Sequence, residues 1–308
     1  MRVNRGLGWV ATHAIAIAIA LMFVLPFVFI FLTAFMSNQQ SLTSQLWPTS
    51  WHPGNFVEVF HKAPILRYFG NSLLYAGLAT IFMLLSSVPA AYALSRFSFR
   101  YRNALFLAVI AMMVLPPQVT QVPVYFMWAK LNLTGTLWPV ILPNLLGDAF
   151  SIFLLRQFLL TIPEEYADAA RMDGCSEWRV MTKIILPMAR PALAATAMFI
   201  FFASWNDYYG PLLYTSENPA HWTVSLGLAQ FRTAHQVQWN LTMAATLLMM
   251  LPVMVLFFFA QKAFVQGVTL TGVKDENGGY RRGFNLYPRA DRRHRPFLET
   301  GRGRGRPG

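Results

Sequence analysis

Residue types that usually carry chemistry are sparse in this 308-residue sequence, and their spacing excludes several catalytic classes. Cys175 is the only cysteine, and the six histidines are scattered without an HExxH pair, so we expect neither an intrachain disulfide nor a metal site. The sequence has no Gly-Lys dipeptide, and hence no glycine-rich phosphate loop for ATP. Facing acids typical of an intramembrane enzyme are also missing. We therefore predict no catalytic residue and no cofactor on this chain.

Two polar residues in an otherwise apolar segment are candidates for contact with a solute. Asn144 and Asp148 lie within residues 137–160, where Asp148 is expected in the middle of a helix. Polar groups are costly inside a membrane and often mark a transport pathway. Hydrogen bonding between helices explains such residues equally well, so both interpretations stay open.

The segments around these residues are long and apolar enough to cross a bilayer. Hydrophobic residues make up 55% of the chain and charged residues 12%, whereas a soluble domain carries about 25% charged residues. A membrane-spanning helix needs about 20 residues. We predict an all-α membrane protein with six transmembrane helices, at residues 9–36, 71–94, 104–128, 137–160, 192–214 and 241–264.

The basic residues predict the orientation of these spans. The net charge of +12 could suggest a nucleic-acid partner, but the distribution of the charge points to membrane topology instead. With the N-terminus in the cytoplasm, most of the 25 lysines and arginines fall on the cytoplasmic side. Both termini are therefore predicted to be cytoplasmic, and no nucleic acid is expected.

This topology divides the chain into three parts. Residues 1–66 hold the first span and an extracytoplasmic loop, and residues 67–274 form the core transmembrane domain. Residues 275–308 are rich in Arg, Gly and Pro, a composition that predicts a disordered basic tail.

The loop at residues 161–191 carries the clearest local signals. Thr161 and Glu164 have the spacing of a capping box, which predicts a helix over residues 162–173. Gly174 can adopt a left-handed turn that ends this helix, and Ser176 can cap a second one. The loop is therefore predicted to be two helices joined at a bend.

The same loop resembles the EAA loop of ABC-importer permeases. The family pattern is E-A-A, three residues, G, nine residues and I-x-L-P, and the segment DAARMDGCSEWRVMTKIILP matches it at seven defined positions: Asp168, Ala169, Ala170, Gly174, Ile184, Leu186 and Pro187. Asp168 stands where the family has Glu, which keeps the charge but shortens the side chain. Similarity to carbohydrate-uptake permeases of the maltose type extends over most of residues 9–274.

The resemblance implies a type I ABC importer permease fold in the bacterial inner membrane. It implies four kinds of partner: a second permease subunit, two cytoplasmic ATPase subunits that bind ATP and Mg²⁺, an extracytoplasmic solute-binding protein, and membrane lipid. By analogy, the first loop helix sits in a groove of an ATPase. Glu165, Asp168 and Arg171 would make polar contacts there, Ala169 and Ala170 would pack closely, and Gly174 would set the bend.

The sequence leaves the solute open. A mono- or oligosaccharide is favoured by resemblance alone, and glycerol phosphate or another polyol is the alternative. A secondary transporter usually has more spans, internal repeats and buried ionisable residues, so this class is disfavoured.

Overall fold

The computed structural model describes residues 5–231 and 238–272, and this part of the chain is helical without strands. Within it, the helices are α1 (Arg5–Ala34), α2 (Gly54–Lys62), α3 (Ile65–Arg96), α4 (Arg102–Val114), α5 (Pro117–Lys130), α6 (Trp138–Ile141), α7 (Ala149–Leu159), α8 (Glu165–Met172), α9 (Glu177–Arg179), α10 (Leu186–Met188), α11 (Arg190–Asn206), α12 (Tyr209–Thr215), α13 (Val224–Leu228) and α14 (Trp239–Gly272). Short 3-10 helices occupy Gln40–Leu42, Leu142–Leu146, Pro219–His221 and Ala229–Phe231, and a π-helix occupies Val180–Ile185. The predicted tail at residues 275–308 lies outside the described residues.

Four segments of the described chain are long and apolar enough to cross a membrane. They are Trp9–Ala34, Ile65–Arg96, Trp138–Leu159 and Trp239–Phe258, and they overlap four of the six predicted spans. Two further candidates are bent helix pairs, so the total is six only if each bent pair is counted as one span.

The predicted third span is broken rather than continuous. Its two halves, α4 and α5, meet at an angle of 93°. Leu115 is extended, with ψ of 119°, because the following Pro116 disfavours helical backbone at this position. The two adjacent prolines therefore end one helix and begin the next, so residues 104–128 form a sharply bent helix pair and not one continuous helix.

The predicted fifth span is shorter than expected. Helix α11 ends at Asn206, because Asp207 adopts extended backbone, and the chain resumes as α12. At its other end, α11 meets the segment Glu177–Met188 at 82°. The cytoplasmic loop predicted from sequence is thus joined to this span through a sharp corner.

The predicted fourth span is also interrupted. After α6 and a 3-10 turn, Gly147 adopts a positive φ of 90°, and Asp148 is the N-cap of α7. The expectation that Asp148 lies in mid-helix is therefore wrong, because Gly147, directly before it, adopts a positive φ that ends the preceding helical turn.

Helix α3 connects two separate cores. Its first turns, at Ile65 and Tyr68, pack in a cluster with residues of α2, α13 and α14. Its last turns, at Val88 to Leu94, pack in a second cluster with α7 and the α8–α10 segment. That segment therefore packs directly against the end of a long helix that reaches both cores.

Candidate functional site

The segment from α8 to α10, which we call the coupling hairpin (residues 165–188), contains the EAA-like motif. Helix α8 begins at Glu165, later than predicted, and its N-cap Glu164 makes no side-chain cap hydrogen bond. The Thr161 hydroxyl instead donates to the Phe158 carbonyl at 2.7 Å. The predicted capping box is therefore wrong, because Thr161 still belongs to the turn that ends α7.

The bend at Gly174 has the expected left-handed geometry. Gly174 has φ of +78°. Its amide donates to the Arg171 carbonyl and the Cys175 amide to the Ala170 carbonyl, each at 3.0 Å. These two bonds form a Schellman motif, which satisfies carbonyls at the end of α8. Ser176 is the N-cap of α9 as predicted, although its side chain makes no cap hydrogen bond.

One face of α8 is buried against the rest of this chain. Ala167 is fully buried and Ala170 nearly so, both in the cluster that includes Leu159, Val180 and Ile185. The structure thus differs from the expectation for Ala170, whose small side chain lets α8 approach its own chain. Ala169, the other alanine that the resemblance places against a partner, is exposed.

The opposite face of the hairpin is exposed and unexpectedly apolar. Glu165, Asp168 and Ala169 are exposed. Three large side chains that the sequence interpretation missed are also exposed on the hairpin: Tyr166, Met172 and Trp178. Met172 is 87% exposed. The sequence did contain a signal for them. Ala167 and Ala170 form the buried face of α8, so the large side chains at positions 166 and 172 had to lie on its other faces.

Arg171 is bound within the hairpin rather than presented outward. Its guanidinium contacts Asp168 Oδ1 at 2.7 Å and Glu177 Oε1 at 2.6 Å. Hydrogen bonding to Glu177, together with that to Asp168, raises the pKa of Arg171 above its usual range. Arg171 therefore stays charged and ties α8 to α9 across the Gly174 bend.

The hairpin is also tied to the transmembrane helices. The hydroxyl of Tyr92, near the end of α3, donates to Glu177 Oε2 at 2.9 Å. Arg96, also in α3, donates to the carbonyls of Leu159 and Ile162 at 2.9 and 2.8 Å, at the start of the loop. A chain of polar contacts therefore runs from the exposed hairpin into α3.

Helices α3 and α7 each contribute an arginine that donates hydrogen bonds to the C-terminal end of the other helix. In addition to the Arg96 contacts, Arg156 of α7 donates from Nε to the Leu94 carbonyl of α3 at 3.0 Å. Its guanidinium lies 3.8 Å from the centre of the Phe106 ring, in a cation–π contact. Helix C-termini have unpaired carbonyls and a partial negative charge, so each arginine stabilises the end of the other helix.

The C-terminal half of the motif packs inward. Ile184 and Leu186 are half-buried against the same cluster as Ala167, and Pro187 is exposed near the start of α10. Residues 180–185 form the π-helix, which the sequence did not predict. Wider turns of this kind are rare and concentrate at functional sites.

Asn144 and Asp148 both have structural partners at the break in the fourth span. Asn144 donates to the carbonyls of Val140 and Ile141 at 3.0 and 3.1 Å. Asp148 Oδ2 accepts from the Ser151 amide at 2.7 Å and from its hydroxyl at 2.6 Å. The local geometry therefore explains both residues without a solute.

We predict that Asp148 acts as a helix cap. Asp148→Asn keeps an oxygen for the Ser151 amide, so uptake and thermal stability should stay near wild type. Asp148→Ala removes the cap and should lower the free energy of unfolding by about 1 kcal/mol. Thermal unfolding in detergent and initial uptake rates test this. Loss of uptake in a stable Asp148→Asn protein would instead assign the carboxylate a pathway role.

A cavity of about 960 Å³ lies elsewhere, between α1, α11, α13 and α14. Asn206, Tyr208, Ser225 and Thr246 contribute polar groups to a largely apolar lining that does not include Asn144 or Asp148. Within the described chain, no group of three His, Cys, Asp or Glu residues is placed to hold a metal ion.

Comparisons with known proteins agree with this architecture. Residues 83–270 match the family "Binding-protein-dependent transport system inner membrane component". The chain is 33% identical over 246 residues to the probable ABC transporter permease protein YurM of Bacillus subtilis, covering 79% of this chain and 81% of YurM. It is 34% identical over 228 residues to the arabinooligosaccharides transport system permease protein AraQ of Halalkalibacterium halodurans, covering 74% and 81%.

A solved structure supports the fold. A chain of a bacterial ABC transporter involved in the import of the acidic polysaccharide alginate superposes with a TM-score of 0.73 at 21% identity, covering 86% of this chain and 98% of that one. The family match spans α7, the coupling hairpin and α11, which are the elements that carry the site. The chain therefore belongs to the family of inner membrane components of binding-protein-dependent transport systems, and it is a multi-pass permease of an ABC importer.

Proposed function

We propose that this chain forms half of the translocation pathway of a sugar importer and couples it to ATP hydrolysis on partner subunits. Two ATPase subunits would bind ATP and Mg²⁺, a second permease would complete the pathway, and a solute-binding protein would deliver the solute. The family description supports the solute-binding protein. The name of AraQ, an arabinooligosaccharide permease, supports a neutral oligosaccharide as the cargo.

The exposed face of the coupling hairpin is the observation that carries the coupling role. Tyr166, Ala169, Met172 and Trp178 are all exposed on the hairpin, and α8 also exposes the carboxylates of Glu165 and Asp168. Large exposed apolar side chains rimmed by polar residues are typical of a protein interface. We assign this face to the ATPase subunit.

The contacts of the hairpin suggest how movement is transmitted. Arg171 and Glu177 hold α8 and α9 together, Tyr92 joins them to α3, and Arg96 joins α3 to the start of the loop. When the ATPase pair closes, α8 would therefore move as one body with the ends of α3 and α7. Rigid-body rocking of packed helices is an established way to open one side of a pathway while closing the other.

Met172→Glu tests the docking face. The substitution places a charge where an apolar side chain is 87% exposed, so it should leave the permease folded but weaken its docking to the ATPase. We expect the ATPase subunits to be lost during copurification and uptake to fall with them. Met172→Leu keeps an apolar side chain of similar size and is the matched control, with copurification near wild type.

Uptake is measured in proteoliposomes with the complete transporter, using a labelled neutral arabinooligosaccharide and labelled glycerol phosphate in parallel. Normal copurification and uptake by Met172→Glu would contradict the docking face. Transport of glycerol phosphate alone would contradict the sugar assignment while leaving the coupling assignment intact.

A further inference from the structure

The segment between α1 and α2, residues 35–53, is ordered and contains no lysine, arginine, aspartate or glutamate. We call it the α1–α2 loop. The buried side chain of Gln40 organises it by donating to Gln45 Oε1 at 3.3 Å and to the Trp47 carbonyl at 2.8 Å, and by accepting from the Thr49 amide and hydroxyl at 3.2 Å. Four hydrogen bonds from one side chain hold residues 40–49 in a single arrangement.

The loop returns to the helix end from which it departs. The His52 amide donates to the Phe35 carbonyl at 2.8 Å. The buried Asn55 donates from Nδ2 to the carbonyls of Ala34 and Met36 at 2.8 and 2.9 Å. The second end of the loop is therefore fixed to residues 34–36, where the loop leaves α1, and this keeps the loop close to the end of that helix.

An aromatic surface continues from α1 onto the loop. The rings of Phe31 and Phe35 lie 5.0 Å apart, those of Phe35 and Trp51 5.4 Å apart, and those of Trp51 and Trp47 6.3 Å apart. Leu42 and Leu46 are exposed on the same loop, and Leu46 and Trp47 are 67% and 68% exposed. The fixed conformation of the loop thus holds large apolar side chains away from the rest of the chain.

The length of α1 indicates how deep in the membrane the aromatic surface of the α1–α2 loop lies. The span Trp9–Ala34 has 26 residues, and none of its most apolar window is buried in the chain. At about 1.5 Å per residue it is about 39 Å long, whereas the hydrocarbon core is about 30 Å thick and the whole bilayer about 40–45 Å. The end of α1 and the loop fixed to it would therefore lie at the level of the lipid headgroups.

We infer that the α1–α2 loop is a membrane-interface anchor whose apolar face rests on lipid. Tryptophan is enriched at this depth because its ring is apolar and its N–H is polar. The uncharged loop offers no electrostatic guidance to a solute-binding protein, while its aromatic surface is continuous with the unburied surface of α1. The inference rests on α1 crossing the membrane and is independent of the coupling and sugar assignments.

Spin labelling of the complete transporter tests this anchor. In a Cys175→Ser background, which removes the only cysteine, a nitroxide is attached at Leu46→Cys or, as the matched control, at Ser44→Cys. Both positions are exposed on the α1–α2 loop. In nanodiscs of phosphatidylethanolamine and phosphatidylglycerol, collision of the label at position 46 with a water-soluble nickel chelate should be several-fold lower than at position 44. Adding the solute-binding protein should not change it.

Two results would overturn the anchor: equal nickel accessibility at both positions, or protection of position 46 only when the solute-binding protein is present. The second result would make the loop a protein-docking surface. Tryptophan fluorescence in the protein with its native cysteine provides a second test if the spin label disturbs folding. Brominated lipid should quench less tryptophan emission in Trp47→Phe than in the wild type, and an unchanged quenched fraction also contradicts the anchor.

Discussion

Gly174→Val is expected to reduce solute uptake by at least about tenfold while leaving the permease in the membrane. A side chain at positive φ costs about 1–2 kcal/mol, and β-branched valine is especially unfavourable there. A cost of about 1.4 kcal/mol changes an equilibrium tenfold. Among the described residues other than the chain neighbours of Gly174, no atom lies within 4 Å of the Cβ that a substitution would add there. The expected effect therefore arises from the backbone turn and not from a steric clash.

Gly174→Asn is the matched control, because asparagine tolerates the left-handed conformation better than other residues with a side chain. We expect Gly174→Asn to retain most uptake. Initial uptake rates, the amount of permease in the membrane and copurified ATPase are measured for both variants. Equal uptake by the valine variant and the wild type would show that the bend is not needed for coupling. Equal loss of uptake in both variants would show that position 174 does not accept any side chain, whatever backbone conformation that residue prefers.

The sequence predicted the features that depend on short-range chemistry. The left-handed turn at Gly174 and the position of Ser176 at the start of α9 follow from local preferences, and both are confirmed. Four of the predicted spans follow from apolar length alone and overlap helices of the structure. These features required no knowledge of which helices pack together.

The errors arise where a local pattern competes with a neighbouring element. Thr161 has capping-box spacing, but its hydroxyl bonds to α7. Asp148 lies in an apolar run, but Gly147 ends the helical turn before it. Ala170 matches the motif, yet it packs into its own chain. None of these outcomes can be read from spacing alone, because each depends on tertiary contacts or on a backbone break.

The aromatic and charged contacts of the coupling hairpin could likewise not be predicted from the sequence. Tyr92 is distant in sequence from Glu177, and no periodic pattern pairs a residue of α3 with one of α9. The sequence motif located the hairpin but did not identify the residues that attach it to the membrane helices. In the proposed mechanism we therefore expect transmission of movement to depend on residues outside the seven motif positions as well as within them.

Arg171→Met is expected to uncouple the hairpin, giving uptake that falls severalfold while ATPase subunits still copurify. The substitution removes both ion pairs and leaves the Glu177 carboxylate with the Tyr92 hydroxyl as its remaining partner among these contacts. The side chains of Arg171 and Glu177 are 30% and 42% exposed, so solvent limits the contribution of their pair to about 1 kcal/mol. The larger effect on uptake would come from lost transmission across the Gly174 bend.

Arg179→Met is the matched control, since it removes one positive charge from an exposed position of the same hairpin. Arg171→Met, Glu177→Met and the double variant form a double-mutant cycle with uptake, copurification and unfolding temperature as readouts. If Arg171 acts through Glu177, the double variant should lose no more uptake than Arg171→Met alone. Additive losses, or a loss of uptake that matches the loss of copurified ATPase, would show that Arg171 contacts the partner directly. The cycle therefore separates a residue that positions the hairpin from one that binds the ATPase.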